Sequence, residues 1–190
     1  MRALFEICLK RGWAQLSEVM LNLCKMVEKR LWSSMTPLRQ FAHMPHLDEI
    51  ARKIEKKAQF SWHHFYEMTA QQLGEIVAFP KMGKVILNQI HKFPRLELEA
   101  YVQPLTRTLV RVELDMRAHA EFIWDAKYHG TAEPFWILVQ DCDSEQILHA
   151  EQFVLRQKQL EDEHRVSFTV PLHDPLPPQY FVKVLSDRWL

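Results

Sequence analysis

Gly74, Gly83 and Lys84 come closest to a catalytic motif in this chain, because a glycine-rich loop ending in Gly-Lys-Ser/Thr is what cradles the phosphates of a nucleotide. They miss it on three counts. Eight residues separate the glycines where four are required, Val85 stands where a hydroxyl must hold magnesium, and the preceding pattern is helical instead of a strand. Glu161-Asp162-Glu163-His164 has the letters of a helicase acidic box but lacks the spacer before the histidine. No buried apolar strand precedes it to aim its carboxylates at a metal, so it reads as a solvated turn. The histidines include two close pairs, His43 with His46 and His63 with His64. No cysteine pair accompanies them, and the spacing matches no closed zinc site. A nucleophilic Cys24 or Cys142 would need a neighbouring base and an oxyanion pocket, which spacing alone does not supply. No catalytic residue and no metal ligand are assigned.

Phosphate binding is better served by two other features. Phe79-Pro80-Lys81-Met82-Gly83-Lys84 joins two short helical patterns as the hairpin of a helix-hairpin-helix module does. A glycine in such a hairpin lets backbone N–H groups approach a phosphate, and a lysine adds charge. Lys81 occupies the place of a first glycine, so a plain connector between helices accounts for the segment equally well. Arg52, Lys53, Lys56 and Lys57 fall at helical spacing, a pattern that ordinarily marks a solvated face and can also meet phosphates. The charge itself is divided. Residues 1–95 hold 15 Lys/Arg against 8 Asp/Glu, a balance of +7, and residues 96–190 hold 9 against 16, a balance of −7. The basic half is therefore the candidate nucleic-acid face, unless the two halves simply attract each other.

The elements that must position these residues change character once along the chain. Met1–Trp13 reads as an amphipathic helix, and no secretory signal is present. Trp13, Leu16, Met20, Leu23, Val27 and Leu31 recur at three- and four-residue spacing, which predicts a long helix burying that stripe and leaving Glu18, Asn22, Lys25 and Lys29 to water. Trp13 and Trp32 are expected in the core with Trp136. Leu47, Ile50 and Ile54 mark a short helix. Thr69 with Gln72 is a capping box opening another, and Val85, Ile86, Ile90 and Phe93 define a further one that Pro94 stops. Beyond Pro94 the period becomes two, in Leu96–Val102, Val110–Met116, Val166–Val170 and Tyr180–Val184. Phe135–Val139 is a continuous apolar run suited to a central strand. Six or seven short strands without intervening helices predict an antiparallel sandwich, and the fold class is α+β. The three scattered cysteines, Cys8, Cys24 and Cys142, suit free buried thiols. No apolar run reaches membrane-spanning length. Both ends read as cut: the first helical pattern lacks an N-cap residue, and Trp189-Leu190 follows a strand directly.

Several blocks carry a family resemblance. They are Arg11-Gly12-Trp13-Ala14-Gln15-Leu16, Leu21–Met26, Pro37-Leu38-Arg39-Gln40-Phe41, Pro80–Lys84, Phe135–Val139, Asp143-Ser144-Glu145, Ile147-Leu148-His149, Pro175–Phe181 and Ser186–Leu190. In order and in register, they resemble the Sec-sixty-three homology unit of the Ski-two-like spliceosomal RNA helicases, closest to the N-terminal cassette of the two-cassette U5 snRNP type. The resemblance implies residues 1–35 as the end of a helical bundle, 36–94 as a helix-loop-helix domain and 95–190 as a fibronectin-type-III-like sandwich whose last strand is missing. It further implies that Met1–Trp13 is the end of a ratchet helix lying along a translocating RNA strand. Arg2, Lys10 and Arg11 on that helix, with Lys81 and Lys84 at the hairpin, are the expected RNA-proximal cations. ATP and magnesium would belong to motor domains outside this chain, and no cofactor is expected within it. The implied partners are snRNA, spliceosomal proteins, the motor domains and a second cassette, with no membrane, in a nuclear setting. The alternative is a freestanding RNA-binding or adaptor module derived from such a helicase by truncation.

Overall fold

A computed structural model of the chain describes residues 1–56, 62–143, 145–172 and 179–190. Two helices open it, α1 (Arg2–Arg11) and α2 (Ala14–Lys29), folded back on each other at Gly12. Gly12 has φ +74°, the left-handed region that ends a helix without a Cβ penalty. Four further helices follow: α3 (Leu47–Lys56), α4 (His64–Glu67), α5 (Ala70–Ile76) and α6 (Gly83–Ile90). Thr69 caps α5 reciprocally with Gln72, as the spacing predicts. This second group of helices encloses a core of Leu38, Phe41, Ile50, Leu73, Ile86 and Ile90.

Strand structure begins at Leu96. The antiparallel strands β1 (Leu96–Thr106), β2 (Leu109–Ala118) and β5 (His164–Pro171) form one sheet in the order β1-β2-β5. The antiparallel strands β3 (Ala132–Gln140), β4 (Ile147–Arg156) and β6 (Phe181–Ser186) form the other, in the order β4-β3-β6. A short helix, α7 (Ala126–His129), precedes β3. Val112, Leu114, Met116, Phe168 and Val170 of the first sheet meet Ile137 and Val139 of the second. The class is thus helices plus antiparallel sheets. Phe135–Val139 is continuous in apolar character because β3 is covered twice. Ile137 and Val139 face the other sheet, while Trp136 meets Phe5 and Leu21 beneath the α1/α2 hairpin.

Three expectations are corrected. Half of the stripe read as core is turned outward: Trp13, Leu16 and Val27 are exposed, Met20, Leu23 and Leu31 are half-buried, and Ala14, Ser17, Leu21, Cys24 and Lys25 form the buried side. Periodicity gives the width of an apolar stripe but not which neighbour reaches it. Trp32 is likewise 68% exposed, outside the helix, and Lys25, expected in water, is only 5% exposed. Burial pushes its ammonium pKa down to about 8. Finally, Leu98, Ala100 and Val102 of β1 are exposed although their register partners Met116, Leu114 and Val112 are buried. Among the cysteines, Cys8 and Cys24 are buried and Cys142 half-buried; all three are free. Among the described residues no helix is long and apolar enough to cross a membrane.

Gly74 and Gly83 have a packing role. A Cβ on Gly83 would lie 1.8 Å from the Ala70 carbonyl oxygen, and one on Gly74 2.9 Å from Pro80 Cα, so α5 and α6 touch through bare backbone. Gly83→Ala is expected to cost on the order of 3 kcal/mol or to prevent folding, because the clash is with backbone that cannot rotate away. Urea denaturation followed by circular dichroism measures it.

Candidate nucleic-acid interface

The cations singled out from the sequence fall in two places. Lys10 and Arg11 form the last turn of α1, where positive charge complements the negative end of the helix dipole. That turn is fixed in space, because the Gly12 carbonyl accepts from Ile147 N–H at 2.8 Å and Ala14 N–H donates to the Glu145 carbonyl at 2.9 Å, clipping the helix hairpin to the start of β4. Both side chains are exposed and form no ion pair among the described residues. Lys10 lies on the rim of a groove between α1 and β3, walled by Phe5, Trp136 and Gln152.

Lys81 and Lys84 occupy the turn Pro80–Met82 and the first turn of α6, both exposed. No acidic residue lies in that first turn. Cations at the positive end of a helix raise the local potential, so an anion there would be favoured twice over. The backbone route to a phosphate is closed, however. Gly83 spends its missing side chain on contact with Ala70, which decides the hairpin glycine in favour of packing and leaves the lysines to carry any phosphate contact. Among the described residues of the basic stretch, Lys53 is engaged with Glu49 at 3.2 Å and lies 4.0 Å from the Phe79 ring centroid. Arg52 and Lys56 are exposed, and Lys57 lies outside the described residues.

Arg2 is placed differently. Its guanidinium makes a two-pronged pair with Asp187 at 2.6 and 2.7 Å, a hydrogen bond that holds Arg2 more firmly protonated than usual. Asp187 also accepts the Trp136 indole N–H at 2.7 Å, and Phe5 packs edge-on against Trp136 with centroids 5.3 Å apart. Arg2 therefore ties α1 to the segment after β6, its charge already met by a carboxylate. On the far side of the same junction, Glu18 of α2 accepts from Lys183 at 2.7 Å and pairs with Gln140. Nothing local to Glu18, Trp136 or Asp187 marks them for these roles, since their partners stand 51 to 185 positions away. Among the described residues no group of three His, Cys, Asp or Glu could hold a metal ion. The residues Glu161–Glu163 form an exposed turn before β5.

Comparison with known proteins gives a consistent answer. The family model described as the Sec63 Brl domain matches residues 1–190. The chain is 54% identical over 190 residues to a "U5 small nuclear ribonucleoprotein 200 kDa helicase" of Drosophila melanogaster and 53% identical to that of Homo sapiens, covering all of this chain and 9% of each relative. It is 52% identical to the "Pre-mRNA-splicing factor brr2" of Schizosaccharomyces pombe, covering 8% of that protein. The chain thus spans about a tenth or less of the length of the curated relatives it matches. With the junction described, Asp187→Ala is expected to lower stability by roughly 2–3 kcal/mol and Arg2→Ala by about 1 kcal/mol, because only the first strands two donors. Chemical denaturation of both variants checks the order.

Proposed function

This chain belongs to the Sec63 Brl domain family, and from that premise we propose that it is a non-catalytic segment of a spliceosomal ATP-dependent RNA helicase, serving RNA contact and protein packing in pre-mRNA splicing. The relatives named as U5 snRNP helicases and splicing factors support this reading along the whole chain. The phosphate-loop requirements that Gly74, Gly83 and Val85 fail support the non-catalytic part. Unwinding of U4/U6 snRNA, the nuclear setting and the dependence on ATP and magnesium belong to this proposal as properties of the larger enzyme.

The proposed RNA contact is carried by Lys10 and Arg11, exposed, unpaired among the described residues and rigidly presented at the end of α1. Lys81 and Lys84 form a second, smaller cationic point. Arg2 contributes by orienting α1. The division into a bundle end at 1–35, a helix-loop-helix unit at 36–94 and a fibronectin-type-III-like sandwich at 95–190 is the proposed domain layout. Two antiparallel three-stranded sheets face to face support its last part. The place of β6 at a sheet edge among the described residues and the uncovered face of β1, with Val102 63% exposed, support a seventh strand supplied from elsewhere in the parent protein. The exposed apolar residues Leu4, Ile7, Leu16, Val19 and Val27 on α1 and α2 support packing of this hairpin against the helicase's other domains.

The test is binding of the purified chain to single-stranded RNA across a salt series. Lys10→Ala with Arg11→Ala should weaken binding and flatten the dependence of log affinity on log salt by about 1.4, at roughly 0.7 per phosphate contact. Arg2→Ala should leave the slope unchanged. An RNA-stimulated ATPase activity of the wild-type chain, or an unaltered slope in the double variant, would overturn the reading.

A further inference from the structure

Glu133 stands on β3 with its side chain fully buried. Its Oε1 accepts the Trp189 indole N–H at 3.2 Å, and Arg188 Nη1 stands 3.9 Å off, beyond hydrogen-bond reach. Its Oε2 has no hydrogen-bond partner among the described residues. Trp189 is the residue through which the sheets enter the helical core. It is 5% exposed, in contact with Phe41 and Phe93 at centroid distances of 5.5 and 5.3 Å, although it follows β6 in the chain.

The charged and titratable groups facing this carboxylate come from three elements. Lys29 of α2 lies 5.1 Å from the Trp189 ring centroid, Arg188 and Asp187 belong to the segment after β6, and His129 of α7 stacks on the indole. Both ring nitrogens of the histidine meet backbone: Nε2 lies 2.8 Å from the Lys92 carbonyl oxygen, and Nδ1 lies 2.9 Å from the Asp125 carbonyl oxygen and 3.0 Å from Asp125 N–H. Burial pushes its pKa down, against these backbone contacts, which favour the protonated ring. Glu133 is the carboxylate of the cluster that is fully buried with one oxygen unpartnered among the described residues.

We infer that the segment after β6 that carries Trp189 is a proton-sensitive latch between the helical core and the sheets, tightest when Glu133 carries its proton. A charged carboxylate with one oxygen orphaned in an apolar site is costly to bury, and protonation removes the charge. Burial accordingly holds the Glu133 carboxyl up at about 7. The sign follows from linkage. With Trp189 withdrawn the carboxyl returns toward 4.5, so the closed latch binds the proton more tightly. Closure is weakest above pH 7 and strengthens as pH falls toward 4.5, by up to about tenfold per pH unit.

Nuclear magnetic resonance on the full chain between pH 5.5 and 8 tests this, with the Trp189 indole signal assigned through Trp189→Phe. Its shift should titrate with a midpoint near 7. After correction for the intrinsic rate, its exchange protection should fall about tenfold per unit up to that midpoint. In Glu133→Gln the titration should vanish and protection stay high throughout. A titration that persists in Glu133→Gln overturns the latch, as does a flat indole signal in the wild type. Should the variant fail to fold, the Glu133 carboxyl carbon read directly in the wild-type chain decides, and a midpoint below 5.5 overturns the inference.

Discussion

The insertion of the Trp189 indole into the helical core is the contact on which the arrangement of this chain depends. The helices from Leu38 to Phe93 and the two sheets each have their own apolar cluster. Trp189 belongs to the sheets by sequence and to the helices by burial. Its ring is held by His129 on the sheet side, with Phe41 and Phe93 on the helix side. Leu190 N–H extends the attachment to Gln40 at 3.3 Å. An aromatic of this size brings more apolar area to a junction than any other side chain and still needs a partner for its N–H. That need brings Glu133 into the interior.

The opposite side of the sheets shows a second junction built on different terms. There the α1/α2 hairpin lies on β3 and β6, and its contacts alternate between apolar packing and paired charges: Phe5 on Trp136, Arg2 with Asp187, Glu18 with Lys183. Asp187 and Trp189 are two residues apart, so a single short segment after β6 serves both junctions. The consequence is mechanical. The cations at the end of α1 take their orientation from a strand end some 175 positions later in the chain, and whatever moves that segment acts on them. Rigid presentation of this kind suits a surface that must meet a nucleic-acid backbone at a set angle, since phosphate contacts position without reading sequence.

Uncovered apolar surface is a further feature of the described residues. Val27 and Trp32 on one side, and Leu98 and Val102 on the other, expose apolar area where neighbouring residues are buried. Isolated exposed leucines are unremarkable in soluble proteins, but contiguous stripes on a helix pair and along a strand face mark surfaces that other structure covers. Both stripes accord with a domain matched over a small part of much longer relatives.

Local order was legible in the sequence because it rests on short-range physics. The capping box of Thr69 and Gln72, the change from helical to alternating period and the central character of Phe135–Val139 all depend on residues within a few positions of one another, although the helix expected to run to Pro94 already ends at Ile90. Lys81 and Lys84 stand in a motif of neighbouring residues, whereas Lys10 and Arg11 are singled out only through the family resemblance. Only the tertiary structure decided which side of α2 is buried, that Lys25 lies inside, that Arg2 is neutralised by Asp187, and that Gly83 serves packing. Each of these is set by a group far away in the chain, and the burial of a side chain depends on what covers it, which no local spacing contains.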